Sequence, residues 1–367
     1  MKKKVLFITN IPSPYRIDFF NELGKLVDLT VVFEARRIHG ISFNWNDSDL
    51  GFKAVFLSSG EINEKRVDFS ILHYIKKKSY DYIFVTNYAY YTEMAALLKI
   101  KMRGIPYIME IDGAVFREES KLKFAFKKLL ISGARYYFSP SYSSDKVLMH
   151  YGAKKDRLVR YPFSSIKEEM VLEEPVPYDR KEELRRKLEI KEDKVVITVG
   201  QFIHRKGNDV LLSAIKNIDS NIGFYFIGGK PTEDYFRLVK KKDENRVHFI
   251  DFQSKESLVE YYQAADLFVF PTREDVWGLV VNEAMSQGLP VITTTGCVAG
   301  VELVKENGVL VPVEDEGALT EAIQYCLDDP KHLYDMSKMS IKIIRKYTIE
   351  KMVSAHYEFI EKNIIQE

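Results

Sequence analysis

The chain has 367 residues, of which 46% are hydrophobic and 29% charged, with a formal net charge of +1. This length suits two domains of roughly 150–200 residues each, and the near-zero charge gives no global field toward nucleic acid or an acidic partner. Two cysteines, Cys297 and Cys326, cannot build a disulfide framework and fit a reducing, cytoplasmic compartment. The apolar run after Met1-Lys2-Lys3-Lys4 is too short for a secretory segment, and no run reaches the length of a membrane span.

Short apolar runs alternate with amphipathic stretches along the chain. Residues 4–8 read as a buried strand, followed by a loop with Pro12 and Pro14 and a helix through about Lys25. Further strands are expected at 29–33, 54–57, 82–85, 107–111 and 136–138, with helices at 69–78, 91–103 and 121–131. The pattern lapses over 162–177, which is rich in Glu, Ser and Pro. A charged helix follows at 180–188, and strands resume at 194–199, 223–227, 247–250, 267–270 and 290–293. Helices at 317–327 and 347–362 close the chain. Apolar strands alternating with helices predict an α/β fold with parallel sheets covered on both faces. The expected division is a Rossmann-like domain over 1–165, a linker and connecting helix over 166–193, a second Rossmann-like domain over 194–346 and a terminal helix over 347–367. Two such doubly wound domains imply a central cleft, with ligands at the carboxyl ends of the strands.

A helical wheel of 121–131 places Leu122, Ala125, Phe126, Leu129 and Leu130 on one arc, expected to pack on the sheet. Lys121, Lys123, Lys127 and Lys128 fill the other arc, and Phe124 and Ile131 fall among them. Apolar residues among lysines suit either a helix lying on an anionic bilayer, with Lys123, Phe124, Lys127 and Lys128 in contact, or a solvated face.

Two constellations carry chemistry. Pro271-Thr272-Arg273-Glu274-Asp275-Val276-Trp277-Gly278-Leu279-Val280-Val281-Asn282-Glu283 follows the strand 267–270 directly, at its carboxyl edge. Gly278 permits close backbone approach, and the amides from Gly278 and Leu279 onward open a helix whose first turn can hold an anion. Glu283 can accept two hydrogen bonds from a vicinal diol such as a ribose, and Asp275, eight residues earlier, can reach a neighbouring sugar hydroxyl. The bland alternative is an acidic loop before an amphipathic helix. Gly200-Gln201-Phe202-Ile203-His204-Arg205-Lys206-Gly207 follows the strand 194–199 and precedes a helix at 208–215. Arg205 offers a planar fork and Lys206 a point charge, together suited to a diphosphate; the alternative is a solvated basic turn. A glycine-punctuated loop at 294–302 could wrap the same ligand.

These residues resemble glycosyltransferase family 4, retaining enzymes of the GT-B fold. The E-x7-E signature of that family corresponds here to Asp275 and Glu283, with aspartate in the first position and Glu274 beside it. The resemblance implies that Glu283 binds the nucleotide ribose and that Asp275 or Glu274 positions the transferred sugar. It implies that Arg205 and Lys206, with Gly200, Gln201 and the Gly278–Leu279 amides around the donor, meet the charge of the departing diphosphate. Family members often carry arginine where this chain has Gln201. The N-terminal domain is then the acceptor side, and the last helix is expected to cross back to it. The implied reaction moves a sugar from a UDP- or GDP-sugar to a hydroxyl of a glycan or lipid-linked glycan, with retention. It is placed in the cytoplasm, on the inner face of the membrane if the acceptor is lipid-linked. Two other activities stay open, a nucleotide-sugar epimerase of the same fold and a non-catalytic partner subunit.

On the acceptor side, Asp112 stands where the family often has histidine, and can orient a hydroxyl at a strand end. Tyr15 and Arg16, in the loop after the first strand, are candidates for acceptor binding, Arg16 toward a phosphate or as a plain surface charge. Asp47-Ser48-Asp49 has D-x-D spacing but lies far from the donor motifs, and neither zinc spacing nor a P-loop occurs. No metal and no cofactor beyond the nucleotide sugar is expected.

Overall fold

The computed structural model describes residues 1–37, 50–62, 66–219 and 221–363; Asp47 and Asp49 lie outside these. The chain forms two compact units, one of Met1–Ser165 with Thr348–Glu367, the other Ile166–Tyr347.

The first unit begins with β1 (Lys4–Thr9), α1 (Pro14–Leu26), β2 (Asp28–Arg37), β3 (Lys53–Glu61), β4 (Tyr82–Val85) and α2 (Tyr91–Met102). It continues with β5 (Ile108–Glu110), α3 (Lys121–Ile131), β6 (Tyr136–Ser139), α4 (Tyr142–His150) and β7 (Leu158–Arg160). The sheet is parallel, in the order β3-β2-β1-β4-β5-β6-β7. Leu6, Ile8, Ile83, Val85 and Met109 from its strands are buried against Ala96, Leu97 and Ile100 of α2.

Two elements differ from expectation here. Residues 69–78 form only a 3-10 turn, Phe69–His73, capped by Asp68, whose carboxylate accepts from Ser70 N at 2.9 Å. Ile71 and Ile75 of this stretch are fully buried, with Leu72 and Tyr74 packed partly against the same core, and Lys78 takes a left-handed φ of 65° that no helix continues through. The α3 helix has the expected bounds, Leu130 is buried and Lys121, Lys123 and Lys128 are exposed as expected, but Leu122, Ala125, Phe126 and Leu129 face outward instead of packing on the sheet. Leu122, Phe126 and Leu129 are 85%, 45% and 52% exposed, while Phe124 and Lys127 turn inward with Leu130 and Ile131. The inward side finds specific partners. The Phe124 ring packs on His150 and Tyr151 at 4.9 and 5.6 Å, and Lys127 Nζ pairs with Glu119 at 2.7 Å. An aromatic pair and a carboxylate outbid the leucines for that side, so Phe124 and Lys127 do not face a membrane.

The second unit contains α5 (Tyr178–Lys187), β8 (Lys194–Val199), α6 (Asn208–Ile215), β9 (Ile222–Ile227), α7 (Glu233–Leu238), β10 (Val247–Ile250) and α8 (Lys255–Ala264). It continues through β11 (Leu267–Phe270), α9 (Leu279–Ser286), β12 (Val291–Thr294), α10 (Val298–Leu303), β13 (Gly308–Val311), α11 (Glu316–Asp328) and α12 (Pro330–Ile344). Its sheet is parallel, in the order β10-β9-β8-β11-β12-β13. The stretch read as a linker is docked on this unit. Leu172 N donates to Ser286 O at 3.0 Å, and Lys181 and Arg185 of α5 reach the Asp266 carboxylate at 2.8 and 2.6 Å.

The helix α13 (Ile349–Lys362) packs in the first unit. Its buried face, Met352, Val353, His356, Phe359 and Ile360, recurs at three- and four-residue intervals. Phe359 sits edge-on to Phe138 of β6 at 5.1 Å, and Tyr82 of β4 donates to Ile360 O at 2.5 Å.

Candidate active site

In the second unit the strand order reverses between β8 and β11, which are paired neighbours. In parallel sheets this switch point is where ligands settle. Both sequence constellations leave from it. Gly200–Gly207 follows β8, and Pro271–Gly278 follows β11.

The two loops are locked to each other. Gly207 adopts φ 68°, and a Cβ there would lie 1.9 Å from Pro271 O, so only glycine lets the backbones touch. Thr272 Oγ1 donates to Arg205 O at 2.9 Å, and Arg273 N donates to the same carbonyl at 2.9 Å. His204–Lys206 forms a 3-10 turn just ahead of α6. This turn brings both cations to one carboxylate. Lys206 Nζ lies 2.6 Å from Asp275 Oδ2, and Arg205 Nη1 lies 3.3 Å from the same oxygen while donating to Glu274 O at 2.8 Å. The aliphatic stem of Lys206 crosses 3.6–3.8 Å from where a Gly200 Cβ would sit, and its ammonium lies 4.8 Å from the Phe270 ring centroid.

Not every cation here is free to meet a ligand. Arg273 is held by both Asp209 oxygens at 2.8 and 2.7 Å, by Glu314 at 2.7 Å and by His204 O at 2.7 Å. Burial raises the Asp209 carboxyl, but the Arg273 guanidinium outweighs it and holds the group below its usual range. Arg273 is therefore a framework residue. Arg205 is 45% exposed, and its contact with the Asp275 carboxylate is long at 3.3 Å. Lys206 is 15% exposed and pairs, among the described residues, with the Asp275 carboxylate. Arg205 and Lys206 are thus less tightly held than Arg273.

Asp275 is fixed from behind. Its N–H donates to Gly296 O at 2.9 Å, and its carbonyl accepts from Val298 N at 3.2 Å. The helix α9 then opens at Gly278, whose φ of 104° suits glycine and whose added Cβ would meet Cys297 Sγ at 2.8 Å. Gly278, Leu279 and Val280 therefore present the first amides of an eight-residue helix beside the cation pair. Glu283, on α9, is half-buried, and its charge is the second cause, after burial, that raises the Tyr262 hydroxyl. Burial pushes the Cys297 thiol up to about 12, which leaves it no nucleophile. The loop expected at 294–302 contains the short helix α10.

In the first unit, Asp112 follows β5 and is 32% exposed at its side chain. Tyr15 donates to its Oδ2 at 2.8 Å, and Arg16 pairs with its Oδ1. Burial raises the Asp112 carboxyl more than Arg16 lowers it, so the group lies above the ordinary aspartate value. Arg16 is neither a surface charge nor open to an acceptor phosphate. It is 2% exposed and also pairs with Glu110 at 2.5 Å, so two carboxylates already fill its fork. Glu110 in turn meets His356 Nε2 at 3.0 Å, and His356 Nδ1 faces Met352 O at 2.7 Å. A carbonyl only accepts, so Nδ1 is the donor. Nε2, on the other side of the ring, faces the Glu110 carboxylate. Burial alone would raise Glu110, but Arg16 and then His356 overcome it and hold the carboxyl at about 2.

Three features escaped the sequence reading. Gly228 and Gly229 end β9 alongside Gly200, both at positive φ; a double glycine directly after a strand is a signal that could have found them. Arg273 ties the loops after β8 and β11 together. Glu110, a charge inside an otherwise apolar strand, marks the buried cluster with His356.

Residues 180–343, most of the second unit, match the family model of group 1 glycosyl transferases. Among curated relatives, the D-inositol 3-phosphate glycosyltransferase of Corynebacterium diphtheriae is 30% identical over 169 residues, 42% of this chain and 39% of that protein. Its counterpart from Corynebacterium glutamicum is 29% identical over 218 residues, 55% of this chain and 51% of that protein. The match thus spans about half or less of the length of these relatives. Among solved structures, sucrose-phosphate synthase from Thermosynechococcus elongatus aligns with a TM-score of 0.76 at 18% identity, covering 98% of this chain and 99% of that one. HepE of Anabaena, in complex with UDP and glucose, aligns at 0.75 and 16% identity, covering 98% and 100%. These likenesses show the fold, two Rossmann-like parallel-sheet domains of the GT-B kind.

Proposed function

We propose that the chain is a glycosyltransferase that moves a sugar from a nucleoside diphosphate sugar, UDP- or GDP-linked, to a hydroxyl of a glycan or lipid-linked glycan, with retention at the anomeric carbon. The observation that carries this reading is the convergence of Arg205 and Lys206 on Asp275, beside the opening of α9, at the switch point of the second sheet. An incoming diphosphate competes with Asp275 for the two cations. Once it holds them, Arg205, Lys206 and the first amides of α9 stabilise the charge that grows on the leaving group. Asp275, released from its cations, is then an acceptor for a hydroxyl of the transferred sugar, with Glu274 as its neighbour. The two oxygens of Glu283 accept from the ribose diol. In the first unit, Asp112, aimed by Tyr15 and Arg16, is the group proposed to orient a reacting hydroxyl. The family match over 180–343 and the nucleotide bound by HepE support a nucleotide-sugar donor.

A panel of nucleotide sugars, read by hydrolysis and by thermal stabilisation, tests the reading. One donor should raise the unfolding temperature and be hydrolysed slowly without acceptor; a protein that responds to none of them is not such a transferase. Glu283→Ala should weaken binding of that donor by about tenfold, the worth of about 1–2 kcal/mol of lost charged hydrogen bonds, with little loss of kcat at saturation. Calorimetry giving an unchanged Kd would remove Glu283 from the ribose. Because side chains and amides meet the leaving charge, the reaction is proposed to need no metal, and turnover should be the same with and without a chelator. A rate abolished by the chelator and restored by a divalent ion would overturn that.

A further inference from the structure

At the carboxyl edge of the first sheet, β2 and β3 end beside a hollow of about 260 Å³. Glu34 of β2, Ser58 and Glu61 of β3, Arg66, Asp68 and Thr92 of α2 line it. Pockets that take a whole small molecule run about 300–1,000 Å³, so this space suits one sugar ring or one functional group of a larger ligand.

Glu34 indicates what enters. It is a charge inside a buried strand, flanked by Phe33 and Ala35, and is 6% exposed. Its Oε1 accepts from Thr92 Oγ1 at 2.7 Å, and that hydroxyl accepts in turn from Asp68 N at 3.1 Å. The carboxylate is thus fixed on one side. Its Oε2 is buried and has no hydrogen-bond partner among the described residues, and an acceptor left in that state is costly. Burial outweighs the Thr92 bond and raises the Glu34 carboxyl. Glu93, 1% exposed on the first turn of α2, is raised too, by burial and then by the charge of Glu34. Glu61 and Asp68 add two more carboxylates to the lining, while Arg66, which is exposed, is its one cation among the described residues. No three ligating side chains among the described residues are grouped to hold a metal ion. A hydroxyl would satisfy Oε2 and leave the charge uncompensated. An ammonium, with three donors and no acceptor, answers both.

We propose that this hollow receives the ammonium of an amino sugar carried by the acceptor glycan, bonded to Glu34 Oε2 and drawn in by Glu61 and Asp68. The proposal deepens the transferase reading and rests on it for calling the ligand an acceptor. Asp112, proposed to orient the reacting hydroxyl, follows β5 at the same edge of the sheet. The order β2-β1-β4-β5 puts three strand spacings between them, roughly 14 Å at about 4.8 Å each. That is farther than one sugar ring reaches. The amine therefore belongs to a residue of the acceptor other than the one that reacts.

The test is calorimetry of the full chain, without donor, against the trisaccharide of glucosamine and its fully N-acetylated form. Acetylation removes the positive charge and keeps the sugar. The free amine should bind at least about tenfold more tightly, and less so as salt rises. Glu34→Gln keeps the shape and an oxygen for Thr92, and should bring the two ligands within about twofold of each other. Glu61→Gln, on the exposed rim, should narrow the preference to about threefold. Glu233→Gln, exposed on α7 of the second unit, should keep the parent's preference. Glu34→Gln removes a buried charge beside Glu93, so its unfolding temperature should not fall; if it does, Glu61→Gln carries the test. Equal affinity of the parent for the two trisaccharides, or binding of neither, overturns the proposal. So does a preference that survives both substitutions. The nucleotide-sugar panel is read separately. A parent that prefers the free amine and responds to no donor keeps the amine site and loses the transferase reading. A parent that responds to a donor and does not distinguish the trisaccharides loses only the amine site.

Discussion

Replacing Lys206 by alanine is expected to lower kcat by about 10²–10³-fold, the range found when one preorganised group facing developing charge is removed. The unfolding temperature should barely move. Asp275 keeps its long contact with Arg205 and its backbone ties to Gly296 and Val298, so the loop is not left with a stranded charge. Lys206→Arg should rescue little. The lysine reaches Asp275 by laying its stem across Gly200, and a planar fork does not reproduce a compact ammonium at that point. Arg205→Ala should cost less, because Arg205 is half-exposed and its contact with Asp275 is weaker. A near-normal kcat for Lys206→Ala, measured with saturating donor, would remove the leaving-group assignment.

Glu110→Gln is expected to destabilise the first unit by about 3 kcal/mol, since it leaves the buried Arg16 with one partly exposed carboxylate, Asp112. For a unit of this size that corresponds to a fall of roughly 6–12 °C in its unfolding transition. The pH dependence has a definite sign. Glu110 is held at about 2, below the usual 4.5, so its contribution is complete above about 4.5 and fades as pH falls toward 2. Calorimetric scans across this window should show the parent's advantage over Glu110→Gln shrinking with acid. An advantage that does not change with pH would mean that Glu110 is not ionised in the fold. Asp112→Asn should matter less to stability, because a third of that side chain already faces solvent.

Most strands and the larger helices were legible in the sequence because buried parallel strands leave contiguous apolar runs. The elements that were missed have physical reasons. The helix α12 carried a readable start, Asp329 before Pro330, but its long polar face hid it. The glycines at 296 and 300 give the sequence of α10 the look of a loop. The short strand β7 has three half-buried residues and no apolar run. The outward turn of Leu122, Phe126 and Leu129 in α3 could not be read from its own periodicity, since what decides it lies elsewhere: His150, Tyr151 and Glu119. The proposed donor site was more legible than the cluster around Asp112 for a related reason. Arg205, Lys206, Asp275 and Glu283 come from two short segments that follow adjacent strands, so local spacing almost defines the site. Arg16, Glu110, Asp112 and His356 come from four separate stretches, and only folding reveals that Arg16 is consumed by its neighbours.

The placement of α13 sets an order on how the protein is made. The first unit lacks that helix until all of residues 166–347 have been translated. Until then the β6 surface that receives Phe359 is bare, and Glu110 has Arg16 without His356. The second unit, contiguous in the chain, can close as soon as it leaves the ribosome, so the half begun first is the half finished last. Nascent chains held on the ribosome at successive lengths should therefore show protease resistance in the second unit before the first. A chaperone that shields bare aromatic surface would have its longest task on residues 1–165.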